Sequence, residues 1–246
     1  IYYAPSPKYY YFLSVLYDEE PIKIGKKHEN KGTHWPFTGS ASLTINNKEY
    51  VFLGGGEGQD DQLLLYKDKK FYDVIKNTGL SSKSKTYSAV AIDMDNDGKD
   101  DLIVGRSDGV FLYLQQDNGT FKSQKIMEPQ DKSPLALSVS DFNKDGKPDV
   151  YISYFTKVNK YKGSVFNDPS HNRENTLLKN TSDNKENKIS FVDVTTETKS
   201  GGKYNTFTSI FLDLNNDTYP DLVLSNDSGE IEILENVKGE YFKTHI

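Results

Sequence analysis

Short apolar runs recur along most of the chain, and polar turn residues separate them. The clearest copies lie at residues 87–92, 102–104 and 110–114, and again at residues 207–212, 222–224 and 231–235. Short runs rich in β-branched and aromatic residues are typical of buried β-strands, whereas helical periodicity of useful length is absent from the sequence. The pattern therefore predicts an all-β fold of short strands joined by tight turns.

The strand pattern repeats with a period near 50 residues. Each unit ends in a Phe that closes its last turn, and these are Phe71, Phe121, Phe191 and Phe242. The spacing before Phe191 is longer, because about 20 extra residues fall around residues 156–174. A period near 50 with about four strands per unit indicates the blades of a β-propeller.

The repeat also divides the chain into domains. Residues 1–34 lie outside it and are rich in Tyr, so we predict an aromatic-rich N-terminal arm packed on the main domain, with a partner-binding segment as the alternative. The remainder, residues 35–246, is predicted to be a β-propeller. Four blades are visible, alone or within a larger ring, and we assign them to residues 35–80, 81–130, 131–198 and 199–246.

Three polar segments share one spacing of Asp and Asn, at positions 1, 3, 5 and 9 of a nine-residue stretch. In loop A (residues 93–101) the four positions are Asp93, Asp95, Asp97 and Asp101. In loop B (residues 141–149) they are Asp141, Asn143, Asp145 and Asp149. In loop C (residues 213–221) they are Asp213, Asn215, Asp217 and Asp221.

Side chains with this spacing converge on one point, where carboxylates need a cation. Two carboxylates about 4 Å apart repel by about 1 kcal/mol in water and about 4 kcal/mol at an effective dielectric of 20. Oxygen ligands in such a loop suit a hard cation, so we predict three calcium sites. Gly98 and Gly146 supply positive φ at position 6 without steric cost, whereas Thr218 is predicted to be strained there.

The loops differ from EF-hands. An EF-hand needs flanking helices and a Glu at position 12, but position 12 here is Val104, Ile152 or Leu224 and lies in a predicted strand. Each loop is therefore predicted to connect two strands. At the equivalent place in the first blade, residues 44–50 lack the Asp set, and we predict no calcium site at Thr44.

With these loops and blades, the chain resembles the FG-GAP/VCBS repeat propellers, and most closely their cartilage-acidic-protein (ASPIC/UnbV-type) branch. The phrases Asn-Thr-Leu-Leu-Lys-Asn at residues 175–180 and Phe-Val-Asp-Val-Thr at residues 191–195 also match. The resemblance implies calcium held in blade hairpins by the twelve Asp and Asn residues above. At position 7 the backbone carbonyls of Lys99, Lys147 and Tyr219 would contribute. It also implies a secreted, periplasmic or cell-surface location.

Composition narrows the function classes. The formal charge of −6 argues against a nucleic-acid partner, and the absence of Cys excludes a disulfide framework and a Cys nucleophile. No apolar run is long enough to span a membrane. The four His are scattered and ten of the Asp residues are assigned as loop ligands, so we predict that the protein is not an enzyme. A propeller lyase or hydrolase acting on polysaccharide is the alternative.

The predicted function is a calcium-stabilised extracellular or cell-surface propeller that binds or adheres to protein or carbohydrate. Its predicted contact surface is the insertion at residues 156–174, because aromatic residues with Arg commonly anchor interfaces. The residues proposed there are Tyr161, Phe166, His171 and Arg173. A structural subunit of a larger surface assembly is a further alternative.

Overall fold

The computed structural model describes residues 39–56, 58–156, 172–183, 189–227 and 231–245. In these ranges the chain forms sixteen strands and one short helix, and the strands build four antiparallel sheets of four. Within every sheet the strands follow chain order, so each sheet is a meander. The predicted all-β fold with blade-like sheets is confirmed.

The four sheets are numbered in chain order. Sheet 1 contains β1 (Ser40–Ile45), β2 (Lys48–Leu53), β3 (Gln62–Lys67) and β4 (Lys70–Asp73). Sheet 2 contains β5 (Thr86–Ile92), β6 (Asp101–Arg106), β7 (Gly109–Gln115) and β8 (Phe121–Met127). Sheet 3 contains β9 (Lys132–Ser140), β10 (Asp149–Thr156), β11 (Thr176–Asn180) and β12 (Phe191–Asp193), followed by α1 (Thr195–Thr198). Sheet 4 contains β13 (Thr206–Leu212), β14 (Asp221–Asn226), β15 (Ile231–Val237) and β16 (Tyr241–His245).

Successive sheets pack face to face through their first strands, as the blades of a β-propeller do. Strand β1 packs on β5, β5 on β9, and β9 on β13. One hydrophobic cluster fills each space between neighbouring sheets. Because strand side chains alternate between faces, Val104 lies in the cluster shared with sheet 1 and its neighbour Ile103 in the cluster shared with sheet 3.

The first hairpin of sheet 1 has a different connection from the others. Only Asn46 and Asn47 separate β1 from β2, and their φ angles are 49° and 60°. Two residues with positive φ are the geometry of a type I′ hairpin turn. A turn of two residues replaces the nine-residue loop found in sheets 2 to 4, so the Thr44 segment has no loop of that kind.

A buried ion pair joins sheets 1 and 2 at the ends of their strands away from the Asp loops. Arg106 Nη2 lies 2.6 Å from Asp61 Oδ2, and both side chains are almost completely buried. Asp61 Oδ1 accepts hydrogen bonds from the Gly55 amide and the Thr86 hydroxyl, and Arg106 also donates to the Tyr113 hydroxyl. The sequence analysis did not foresee this pair.

Two predicted regions fall wholly or largely outside the described residues. These are the aromatic-rich arm at residues 1–34 and most of the insertion, including Tyr161, Phe166 and His171. Arg173 is described, is half-buried, and donates from Nη1 to the Asn172 carbonyl at 2.7 Å. The helical content of the described ranges includes nothing long and apolar enough to cross a membrane.

Candidate metal loops

Loops A, B and C occupy the same place in three consecutive sheets. Each loop connects the first strand of its sheet to the second, that is β5 to β6, β9 to β10 and β13 to β14. Cross-strand pairs close the hairpins, and these are Ile92 with Asp101, Ser140 with Asp149, and Leu212 with Asp221. The prediction that the loops connect strands is confirmed, and side-by-side packing brings the loops next to one another.

The Asp at position 1 organises the backbone of each loop. In loop A, Asp93 Oδ1 accepts from the Asp97 amide at 3.1 Å, and Asp93 Oδ2 accepts from the Gly98 amide at 2.8 Å. Asp141 makes the same two bonds at 3.0 and 2.8 Å, and Asp213 makes them at 3.2 and 2.9 Å. The three loops therefore share one backbone frame.

Positions 3 and 5 interact differently in loop A than in loops B and C. The amide side chains of Asn143 and Asn215 donate to Asp145 and Asp217 at 3.0 and 3.1 Å. In loop A position 3 is a carboxylate, and the pKa of Asp95 is raised, first by burial and then by the charge of Asp97. Loop A therefore needs a compensating positive charge more than loops B and C do, because its position 3 is a carboxylate.

Lys99 supplies part of that charge within loop A itself. Its Nζ lies 2.5 Å from Asp97 Oδ2 and 3.0 Å from Asp117 Oδ1. The other position-7 side chains also contact neighbouring groups, since Lys147 donates to the Ser182 carbonyl at 2.6 Å and the Tyr219 ring lies under Lys144 Nζ. The side chains of Lys147 and Tyr219 thus contact groups outside their own loops. The backbone carbonyl stays the predicted ligand at position 7.

The Asp at position 9 is buried at the start of the second strand and connects the loop to the third strand. Asp101 Oδ2 accepts from the Met94 amide at 2.9 Å, and its Oδ1 accepts from the Gln115 amide on β7 at 2.8 Å. Asp149 and Asp221 repeat this arrangement, and their donors are the amides of Phe142, Asn180, Leu214 and Asn236. Burial raises the pKa of Asp101 and of Asp149 to about 7, although the amide hydrogen bonds oppose the shift.

This connecting role is new relative to the sequence analysis, which assigned position 9 as a ligand. The donors on the third strands are Gln115, Asn180 and Asn236. Each donates its backbone amide to the buried Asp, a bond that any residue except Pro can make, so the side chains give no signal for it. A carboxylate oxygen has further lone pairs, so the connecting role leaves position 9 able to bind a cation as well.

Three carboxylates converge in loop A. Oxygen atoms of Asp93, Asp95 and Asp101 all lie within 4.8 Å of one another. Calcium and magnesium prefer sites made of oxygen donors alone, whereas softer metals prefer sites with nitrogen or sulfur donors. The residues present therefore fit a hard divalent cation. Asp97, the fourth predicted ligand, is paired with Lys99 instead.

Positive φ occurs at two positions of each loop, and at position 6 only Thr218 is strained by it. Thr218 adopts a φ of 76°, close to the 84° of Gly98 and the 83° of Gly146, so the predicted positive φ is confirmed. At position 4, φ is 60° to 61° in Asn96, Lys144 and Asn216, which the sequence analysis missed. The Asn at this position in two loops was the available signal, because Asn tolerates this conformation better than most residues.

One family model matches the segment that contains loops A and B. Residues 93–152 match the family model described as an FG-GAP-like repeat. Over these residues the chain is similar to an FG-GAP-like repeat. The matched segment runs from position 1 of loop A to Ile152 on β10 and so spans slightly more than one period of the fold. No curated protein sequence matches the chain.

FG-GAP repeats are found in extracellular β-propellers that serve in adhesion and binding. The FG-GAP-like segment contains eight of the twelve predicted side-chain ligands, and loop C lies outside it. Loop C nevertheless has the same backbone frame as loops A and B. The match over residues 93–152 supports the predicted FG-GAP repeat family, while the finer branch assignment stays a prediction.

Proposed function

We propose that the protein is a calcium-stabilised β-propeller module that binds a protein or a carbohydrate outside the cytoplasm. The observation that carries this proposal is the convergence of Asp93, Asp95 and Asp101 in a loop whose frame recurs in the two following sheets. The FG-GAP-like segment supports the binding role, because such repeats occur in extracellular adhesion propellers.

The loop residues have separable tasks in this proposal. Position 1 holds the frame, positions 3 and 5 present oxygen atoms, and position 9 anchors the loop to the third strand. A bound calcium ion supplies the positive charge that offsets the gathered carboxylates. In loop A, Lys99 releases Asp97 when that carboxylate joins the ligand set. In loops B and C, Asn143 and Asn215 present a neutral oxygen in place of one carboxylate.

The proposed type of site supports a location outside the cytoplasm. Extracellular calcium modules bind with dissociation constants of about 10⁻⁴ to 10⁻³ M, which suits surroundings rich in calcium. We propose binding rather than catalysis because the acidic side chains described above are engaged in loop frames or in the Arg106 pair. Acid–base chemistry would need carboxylates outside those structural contacts.

Calcium titration tests the metal sites. After chelation, calorimetric titration should detect three calcium sites, and calcium should raise the melting temperature because it binds the folded state. Asp93→Ala should remove one site, whereas Asp108→Ala, in an exposed turn outside the loops, should remove none. A melting temperature that is equal in chelator and in millimolar calcium would contradict the proposal.

Glycan-array and cell-surface binding assays test the recognition role. We expect binding in calcium that is lost in chelator, when the loops lose their cations. Replacing residues 157–173 by a short Gly/Ser bridge should remove binding and leave the calcium-dependent melt unchanged, since Arg173 belongs to the predicted contact surface. Failure of the shortened chain to fold would instead assign that segment to the core. Absence of any binding in both assays would contradict the recognition role.

A further inference from the structure

A cavity of about 500 Å³ lies at the loop end of sheets 2 and 3, between loop A and the connection from β11 to β12. Binding sites for small ligands commonly have volumes of about 300–1,000 Å³. The apolar part of its lining comes from Met94, Leu114 and Ile189, and the rest is polar or charged. Asp95 and Asp97 of loop A also line the cavity, so it borders a proposed calcium site.

A close-packed glycine turn occupies the corresponding place at the other two junctions between sheets. The turn from β7 to β8 packs on sheet 1, and a Cβ added at Gly119 would lie 2.9 Å from Asn46 Nδ2. The turn from β15 to β16 packs on loop B, and a Cβ added at Gly239 would lie 2.8 Å from Asn143 Cα. Sheet 3 instead joins its third and fourth strands through residues 181–190, and Asp95, the counterpart of Asn143, lines the cavity.

The side-chain amide of Asn180 lines this cavity without a protein acceptor. Asn180 is only 1% exposed, and its Oδ1 accepts hydrogen bonds from the amide of Ser182 at 3.0 Å and from the Ser182 hydroxyl. These bonds fix the orientation of the side chain, because only Oδ1 can accept from a backbone amide. Among the described residues, Asn180 Nδ2 donates no hydrogen bond. A buried donor without an acceptor is unfavourable, so Nδ2 needs an acceptor from elsewhere.

The counterparts of Asn180 in sheets 2 and 4 both use this group. Gln115 Nε2 donates to one backbone carbonyl of sheet 1 and one of its own loop, at 3.0 and 2.7 Å. Asn236 Nδ2 donates to one carbonyl of loop B and one of its own loop, at 2.9 and 3.0 Å. Asn180 has the same place in its sheet and lines the cavity instead. An oxygen atom of a ligand can therefore take the place of the missing carbonyl.

Lysine side chains make the cavity suitable for an anionic group. Lys99 is paired with two carboxylates and Lys147 with a backbone carbonyl, whereas Lys122 is exposed and makes no ion pair within the described ranges. Three Lys and four Asp line the cavity. A divalent cation in loop A therefore changes the formal charge of the lining from negative to positive. With calcium bound, the cavity favours a ligand that carries a negative charge.

We propose that this cavity binds a carboxylated sugar residue. Lys122 pairs with the sugar carboxylate, Asn180 Nδ2 donates to a sugar oxygen, and the apolar side chains pack against the C–H groups of the ring. Apolar lining with a few polar groups that fix orientation is typical of small-ligand sites. This inference rests on the proposed function and gives it a carbohydrate site. The cavity and the predicted contact surface at residues 156–174 lie at opposite ends of sheet 3, so each can be tested separately.

Titration of the full chain with methyl glucuronide and with methyl glucoside in millimolar calcium tests the site. The two sugars are a matched pair, because they differ only in carrying a carboxylate or a hydroxymethyl group. We expect the glucuronide to bind more tightly, with a dissociation constant of about 1 mM, which nuclear magnetic resonance detects and washed array or cell assays do not retain. Chelation of calcium should weaken glucuronide binding.

Two substitutions test the assigned residues. Lys122→Gln should reduce the preference for glucuronide over glucoside by about two- to fivefold, as expected for an exposed ion pair. Lys243→Gln is the matched control, since Lys243 follows Phe242 in sheet 4 as Lys122 follows Phe121 in sheet 2, and it does not line the cavity. Asn180→Asp keeps the acceptor for Ser182 but removes the donor, so it should weaken binding of both sugars.

Three results would overturn the proposal. These are a wild-type chain that does not bind the glucuronide in calcium, equal affinities for the two sugars, and equal effects of Lys122→Gln and Lys243→Gln. Calcium-dependent melting checks that each variant folds, and Lys122→Gln, an exposed change, carries the test if Asn180→Asp does not fold. Calcium binding without glucuronide binding rejects this site and leaves the proposed function, whereas absence of both rejects both.

Discussion

The side chain of Asn96 in loop A donates a hydrogen bond of 3.2 Å to the backbone carbonyl of Gly146 in loop B. Asn96 occupies position 4 of its loop, and Gly146 occupies position 6 of the next. The same relation links loop B to loop C, where Lys144 Nζ donates to the Thr218 hydroxyl and lies 4.6 Å from the centre of the Tyr219 ring. The three loops are therefore joined in series through positions 4 and 6, where φ is positive.

We predict that the bond between Asn96 and Gly146 couples calcium binding at loops A and B. Asn96→Ala should weaken calcium binding at loop B by about two- to tenfold, since an intramolecular hydrogen bond contributes about 0.5–1.5 kcal/mol. Calorimetric titration measures the effect. Asn216→Ala is the matched control, because Asn216 has the same position and φ in loop C but contacts no later loop among the described residues. If the two substitutions weakened calcium binding equally, the loss would be assigned to backbone strain at position 4 and not to the bond between the loops.

The number of carboxylates and the residue at position 6 should together set the order of calcium affinity. Loop A has four carboxylates and Gly98, loop B has three with Gly146, and loop C has three with the strained Thr218. We expect affinity to fall from A to B to C, because fewer charges attract the cation and strain adds about 1–3 kcal/mol. Titration of Asp93→Ala, Asp141→Ala and Asp213→Ala separates the sites.

Two exchanges test the strain directly. Thr218→Gly should tighten loop C, and Gly98→Thr should weaken loop A. A Cβ added at Gly98 meets no atom within 4 Å, so this second substitution introduces strain without a steric clash. If Gly98→Thr leaves the affinity of loop A unchanged, the turn residue does not control binding.

The buried position-9 carboxyls predict a pH dependence of the calcium-free protein. Asp101 and Asp149 have folded-state pKa values of about 7, against about 3.9 for an unperturbed Asp. A raised folded-state pKa stabilises the fold while the group is protonated, so this contribution is fully present below about pH 4 and is lost as the pH rises through about 7. The chelated protein should therefore lose melting temperature over this interval.

Calcium should reverse that loss, and its effect on the melting temperature should be larger at pH 8 than at pH 5. Protons compete with the cation for the same carboxylates at the lower pH. Thermal melts in chelator and in millimolar calcium across the pH range measure both quantities. A calcium effect that is the same at pH 5 and pH 8 would contradict the assignment of these carboxyls to the loops.

The pair of Arg106 and Asp61 should contribute strongly to stability. Arg106→Met leaves the Asp61 carboxylate buried without its partner, which typically costs about 3–5 kcal/mol of unfolding free energy. Urea denaturation at pH 7.5 measures this loss, and adding Asp61→Asn should recover part of it. Lys125→Ala serves as control, because its pair with Glu128 is exposed and such pairs contribute at most about 1 kcal/mol. An Arg106→Met loss as small as the control's would contradict the prediction.

The local features of the fold could be predicted from sequence because their causes are local. Strand positions follow from short apolar runs, and the hairpin loops follow from Asp and Asn spaced over nine residues. The positive φ of Thr218 could likewise be predicted, since position 6 of such a loop requires it whatever residue stands there. Each of these inferences depends on neighbours within one turn or one strand.

The tertiary structure alone decided which groups meet across distant parts of the chain. The position-9 carboxylate of Asp101 connects to Gln115 on the third strand, and Arg106 pairs with Asp61 from another sheet. Met94 and Leu214 are both apolar residues at position 2 of a loop, yet Met94 is buried and Leu214 is exposed. Their burial differs because it depends on whether another sheet packs over the residue, and the local pattern of the sequence does not contain that information.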